Sequence, residues 1–261
     1  MAINLKKIEP SQHSKGIVTF LDVLGWKGLW QSNRDAVDHL RSLVRDTRNK
    51  AIEIVKAYNE KERAKDVRYN DIKIKVLSIS DTIVFLTDAE SITALSFHAQ
   101  LCSWILEYAL SKKLPLRGAI SYGEFTESDN IMLGPAIDEA AAWHESTDWI
   151  GVILTPSAKM YVRNEKIPYI IDNYDNIPFK KANKTLKHCV DWSFRIEDGL
   201  YDIFLEKGPH MPEVAPKYLN TLEFLKWRYK RDNASEIKVK IHPPSGWLLF
   251  FGHSPIFSSH T

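Results

Sequence analysis

Ile72 to Ile79, which alternates apolar and polar residues, and the run Thr82 to Leu86 are separated by Ser80-Asp81 alone. So short a link predicts a two-residue β-hairpin. The segments around the hairpin then narrow the fold. Before it, Val37, Leu40, Leu43, Val44, Ile52 and Val55 form an apolar stripe on a helix predicted over about 34–64, capped by Ser32 or Asn33. After it, a second helix is predicted over about 91–111. Upstream, Gly16 to Leu21 reads GIVTFL, a run rich in β-formers that ends at Asp22, and Gly25 then allows a tight backbone path. Downstream, Leu116 to Phe125 (LRGAISYGEF) is a strand in which Gly118 and Gly123 keep side chains out of the way. The order β-α-β-β-α-β is the split βαβ, ferredoxin-like arrangement, an α+β fold.

Further along, Gly134 to Glu145 is Ala-rich and helical, Gly151 to Leu154 is a short strand, and Pro156 opens a short helix. Beyond about Lys180 the pattern weakens. Strands are expected at His188 to Phe194 and Leu200 to Leu205, and a helix at Ala215 to Arg231. The tail from Ala234 carries Pro243-Pro244 and an apolar GWLLFFG patch. These segments divide the chain into a main domain over 14–195 and a C-terminal extension over 196–261, which packs on that domain or on a second copy.

Composition excludes several classes. The 35 basic and 33 acidic residues leave a formal charge of +2, too even for a duplex-binding surface, so no nucleic-acid partner is expected. Cys102 and Cys189 are far apart in apolar settings, which fits buried thiols rather than a disulfide framework or metal cluster. The first residues, MAINLKKIEPSQ, lack the apolar core of a secretory signal, and Ser91 to Leu110 is interrupted by His98, Gln100 and Glu107. A soluble, cytoplasmic protein without membrane insertion is expected. P-loop, dinucleotide and Ser-His-Asp patterns are absent, and His98, His144 and His188 share no ligand spacing.

The informative pair is Asp22 and Asp81. Taken singly, a helix cap and a turn residue account for them. Taken together, the first strand of a split βαβ sheet lies beside the hairpin, so both carboxylates converge at one edge. Two close carboxylates in a partly dry site imply a raised pKa or a bound cation. Mg²⁺ or Mn²⁺ commonly bridges carboxylates to phosphates. Two such ions suit an in-line displacement, one activating the attacking oxygen and the other neutralising the leaving pyrophosphate.

Phe20-Leu21-Asp22-Val23-Leu24-Gly25-Trp26 resembles the first metal motif of class III nucleotidyl cyclases, and Ile79-Ser80-Asp81 sits where that family has its second metal aspartate. The strand Leu116 to Gly123 and the helix from Gly134 to Ala141 resemble the segments that follow there, so the likeness spans about 14–160. It implies catalysis by Asp22 and Asp81 and metal contact through both carboxylates and the Val23 carbonyl. It also implies a phosphate cradle over Val23, Leu24, Gly25 and Trp26, with Phe20 beside it, in a head-to-tail homodimer whose sites are finished by the partner. Backbone amides at a helix start suit that cradle.

The departures are as informative. Where the family has a ribose-binding asparagine stands Asp138, and where it has a transition-state arginine stands Ala142. Arg117 and the Lys180, Lys181, Lys184, Lys187 group are the candidate replacement cations. At the two purine-reading positions stand Leu77 and Ile131, whose apolar side chains cannot pair with a base edge. These features resemble the pyrimidine cyclases of Pycsar antiphage defence, which make cyclic UMP or cyclic CMP for a separate effector. That resemblance favours UTP, with Tyr58 and Tyr69 as candidate base readers. The alternatives are a purine (adenylate or guanylate) cyclase and a non-catalytic nucleotide sensor.

Overall fold

The computed structural model describes residues 13–25, 35–128, 131–181, 185–193, 202, 204–205 and 214–240, with side chains of the final helix through 233. Its elements are β1 (Ser14–Val23), α1 (Ala36–Lys65), β2 (Lys75–Ile79), β3 (Thr82–Thr87), α2 (Ile92–Ser111) and β4 (Leu116–Ser128). There follow β5 (Ile131–Leu133), α3 (Pro135–Trp143), β6 (Gly151–Leu154), α4 (Pro156–Val162), β7 (Ile170–Ile171), β8 (Cys189–Val190) and α5 (Ala215–Lys240). One mixed sheet runs β2-β3-β1-β4-β6-β8-β7, with β5 paired to β4. The first six elements have the expected split βαβ order. The hairpin closes at Ile79 opposite Thr82, with Ser80 at a left-handed φ of 57°.

β1 is central and antiparallel to both neighbours. Successive side chains alternate faces, and here both faces are covered. Ile17, Leu21 and Val23 join the large core beneath α1 and α2. Val18 and Phe20 join a smaller cluster with Ala136, Ile137 and Ala140 of α3. Asp22 has the same parity as the second set, so it shares the α3 face. Gly118 lets β1 and β4 approach: a Cβ there would lie 2.3 Å from the Phe20 carbonyl oxygen.

Several boundaries differ from expectation for visible reasons. β2 starts at Lys75 rather than Ile72, because Ile72 is tied to α1 instead. Its amide donates to Asn59 Oδ1 (3.0 Å), and its carbonyl accepts from Asn59 Nδ2 (2.8 Å). Asp202, Phe204 and Leu205 are helical, which overturns the strand expected there. β5 and β7 are too short to carry a period. The helix caps at 32–33 and the tail beyond 240 lie outside the described residues.

α5 belongs to the main core rather than to a separate layer. Phe224 is fully buried, with ring centroids 5.1 Å from Trp149, 5.2 Å from Tyr174 and 6.1 Å from Trp192. Burying such a ring stabilises the fold by about 2–3 kcal/mol. The Ile150 amide donates to Thr221 Oγ1 at 2.9 Å, and Arg228 and Arg231 both pair with Asp191. Cys102 and Cys189 are buried free thiols, and burial pushes both up. No helix among the described residues is long and apolar enough to cross a membrane.

Candidate functional site

Asp22 ends β1 directly opposite Thr82, the first residue after the hairpin turn. The Val23 amide donates to the Asp81 carbonyl at 3.3 Å, which fastens the turn to the strand end. The carboxyl of Asp22 is 9% exposed as a residue. Burial pushes it above the usual carboxylate range, Arg117 pulls it back, and the nearby charge of Asp81 pushes it up again. His144 adds a smaller downward pull, and the balance stays upward. Asp22 and Asp81 therefore feel one another, as the sheet order requires.

The groups that close around Asp22 include three from outside the hairpin. Arg117 faces it across the β1–β4 pair. Its Nη2 and Nε donate to Asp22 Oδ2 at 3.2 and 3.4 Å, and Nη2 also lies 3.4 Å from Glu145 Oε1. Asp22, His144 and Glu145 each offer a ligand atom within 4.8 Å of the others. His144 Nδ1 meets the Ala141 carbonyl at 2.6 Å; a carbonyl only accepts, so Nδ1 carries the proton and a neutral ring leaves Nε2 with its lone pair. Sequence reasoning set His144 aside and overlooked Glu145. Both follow α3 immediately, and only the fold brings that helix end beside β1. No spacing within the chain announces it.

The remaining candidates separate into those the fold gathers and those it does not. Phe20 packs beneath the site, its ring 6.1 Å from that of His144. Leu77 packs against the α3-side cluster, while Ile131 is 59% exposed on β5. Asp138 is exposed in the first turn of α3 with Ala142 one turn on, also exposed. The expected phosphate cradle is corrected in part: the Val23 amide is spent on Asp81, and the Leu24 amide donates to the Pro115 carbonyl at 2.8 Å. Gly25 follows in a left-handed conformation (φ 77°), α1 starts only at Ala36, and Trp26 lies outside the described residues. Tyr58 and Tyr69 are not brought to Asp22. They form an edge pair, Tyr58 packs on Phe97, and Tyr69 donates to Asn59, which holds Ile72 before the start of β2. That is the opposite end of β2 from the hairpin.

Beside Glu145 lies a cavity of about 390 Å³ lined by Ala142, Trp143, Ser146, Phe179, Lys180 and Lys181. Its walls are fastened together: the Lys180 amide donates to the Ser146 carbonyl (2.9 Å), and Thr147 bridges to Phe179. Lys187 pairs instead with Asp175 at 2.5 Å, and Lys184 lies outside the described residues. Oxygen donors in a half-dry site, with one carboxyl raised by burial and by the nearby charge of Asp81, suit a hard divalent ion such as Mg²⁺ or Mn²⁺. The ligand atoms that converge there belong to Asp22, His144 and Glu145, a set that fits such an ion.

No protein-family model and no curated protein sequence matches this chain. Among solved structures, it is similar to the adenylyl cyclase CyaB from P. aeruginosa, at 15% identity over 72% of this chain and 98% of that one, TM-score 0.44. It is also similar to the guanylate cyclase domain of RhGC from Catenaria anguillulae in complex with GTP, at 13% identity, 70% and 99% coverage, and TM-score 0.45. A bacterial light-regulated adenylyl cyclase gives 17% identity, 77% and 58% coverage, and TM-score 0.45. At such identities and scores these are likenesses of chain path alone.

Proposed function

We propose that this chain is a metal-dependent nucleotidyl cyclase. The observation that carries the reading is a buried, electrostatically strained Asp22 at the end of β1, fastened beside the Asp81 turn. The ribose 3′-hydroxyl of a bound nucleoside triphosphate attacks its own α-phosphate and loses its proton. The bond to the β-phosphate breaks, and a 3′,5′-cyclic nucleotide and pyrophosphate result. The two aspartates would hold divalent metal, which when bound would supply charge neutralisation and hydroxyl activation. Lys180 and Lys181 line the adjoining cavity, and in this reading they neutralise the triphosphate in place of the arginine missing at Ala142.

The substrate class we infer is a pyrimidine triphosphate, UTP before CTP. Leu77 and Ile131 offer no donor or acceptor from their side chains where purine readers would stand, and such a site holds a purine edge poorly. A second copy of the chain completes each site, meeting the exposed Asp138 and Ala142. The product acts on a separate effector in antiphage defence. The test is to incubate the purified protein with Mn²⁺ and each of the four labelled nucleoside triphosphates. Cyclic UMP or cyclic CMP is expected. Cyclic AMP or GMP overturns the substrate class, and binding without turnover overturns catalysis in favour of a nucleotide sensor.

A further inference from the structure

A divalent ion at the end of β1 meets a nitrogen there as well as oxygens. We infer that His144 Nε2 is a direct ligand of an ion held at Asp22, with Glu145 beside it, and that this mixed nitrogen–oxygen set favours Mn²⁺ over Mg²⁺. The inference rests on the metal reading above and adds a ligand from the end of α3 and a choice of ion.

The ring is set for this role by the fold. Nδ1 donates to the carbonyl of Ala141, three residues back on α3, at 2.6 Å, which leaves the lone pair on Nε2. Ligating histidines characteristically donate their other ring N–H to a carbonyl or carboxylate, which fixes both tautomer and ring plane. The Phe20 ring flanks the imidazole with centroids 6.1 Å apart, and the His144 side chain is only 15% exposed, so the ring is held in place. Nε2 lies 3.9 Å from Glu145 Oε1, too far for a hydrogen bond. That spacing suits two donors around a shared ion: atoms each about 2.1 Å from one ion stand about 3.0–4.2 Å apart, depending on the angle between them. The whole set of Asp22, His144 and Glu145 converges within 4.8 Å.

Arg117 is compatible with this. It donates to Asp22 Oδ2 and faces Glu145 Oε1, and a carboxylate has about four lone-pair sites to share between a guanidinium and an ion. The nitrogen then decides between ions. Mg²⁺ takes oxygen ligands and gives up its waters reluctantly, whereas imidazole suits transition ions. His144 therefore adds to the affinity for Mn²⁺ and little to that for Mg²⁺.

The test reads the ligand rather than turnover. Mn²⁺ is added to the full chain with its histidines unlabelled or ¹⁵N-labelled, and electron spin-echo envelope modulation detects any histidine nitrogen bound to the ion. Histidine coupling is expected in the wild type and is expected to vanish in His144→Gln. Mn²⁺ affinity should fall there by about tenfold or more, the scale of a disturbed ligand shell, and Mg²⁺ affinity by much less. Bound Mn²⁺ without histidine coupling, or coupling that survives in a folded His144→Gln, overturns the proposal and leaves the metal reading standing. Equal losses for the two ions overturn the ion preference. No bound Mn²⁺ in the wild type overturns the metal reading itself, so the two failures are told apart. Should His144→Gln fail to fold by circular dichroism, the wild type still decides. Long-range ¹H–¹⁵N spectra of the metal-free chain at mildly alkaline pH are expected to show His144 protonated at Nδ1 alone, and a proton on Nε2 overturns the proposal.

Discussion

Thr19 and Asp22 lie three residues apart on β1 and face opposite sides of the sheet, and the two polar groups have been treated in opposite ways. Thr19 meets His98 Nδ1 at 2.8 Å, and Thr87 meets His98 Nε2 at 2.8 Å, all three fully or almost fully buried. A neutral imidazole has one donor and one acceptor, and each hydroxyl can serve either, so the cluster is satisfied internally. Burial holds that imidazole neutral, with its pKa pushed down to about 3. Asp22 is surrounded instead by an arginine, a histidine and two further carboxylates, and its charge is left incompletely balanced. The closed neutral cluster joins α2 to two strands and has no capacity left for a ligand. The charged one has capacity left over, and the proposed metal site is placed there for that reason.

Replacing each group should break the protein in a different way. Asp22→Asn is expected to lower cyclic-nucleotide formation by at least about 10³-fold per folded chain, the scale of losing several kcal/mol of transition-state stabilisation, and also to lower the melting temperature because the buried Arg117 loses its carboxylate. Asp81→Ala should likewise abolish product and leave the fold intact, as read by product assay and circular dichroism. His98→Leu should do the reverse. Stranding two buried hydroxyls costs about 2–4 kcal/mol in urea unfolding, with Mn²⁺ binding per folded chain unchanged.

Acid should separate the two clusters by sign. Unfolded His98 takes up a proton near its ordinary 6.5 that the folded chain refuses until about 3. Its contribution is therefore present above 6.5 and is lost as pH falls below it. Folded Asp22 holds its proton above the ordinary carboxylate value, so its ionisation reduces stability as pH rises through that window. Unfolding curves of wild type should thus steepen below pH 6.5 relative to His98→Leu. Asp22→Asn should remove an opposing slope at lower pH. The smallest effect is expected from Lys180→Ala or Lys181→Ala. Loss of one exposed phosphate contact, worth about 1 kcal/mol, raises KM by roughly fivefold with little change in kcat.

The contrast also explains what could be read in advance. The hairpin at Ser80-Asp81, the run into Asp22 and the two long helices are local patterns, and they place β1 beside β3 through the split βαβ order alone. Arg117 was visible as a cation near the site but not as the partner of Asp22, because that pairing depends on the β1–β4 register. Glu145 and His144 depend on where α3 ends against the sheet. His98 looked incidental, since a histidine within an apolar helix gives no sign of the two threonines it joins. The local order of strands was legible, and the contacts made across them were not.

Trace Mn²⁺ added to ¹⁵N-labelled wild type locates the metal site without assuming any activity, since paramagnetic broadening falls steeply with distance from the ion. The amides of Asp22, Val23 and Ser80 to Thr82 should broaden first, and those of Ser14 at the far end of β1 and of Phe125 and Glu127 beside it on β4 last. Broadening that centres on those far residues, or spreads evenly along β1, would contradict a divalent-ion site at Asp22 and Asp81.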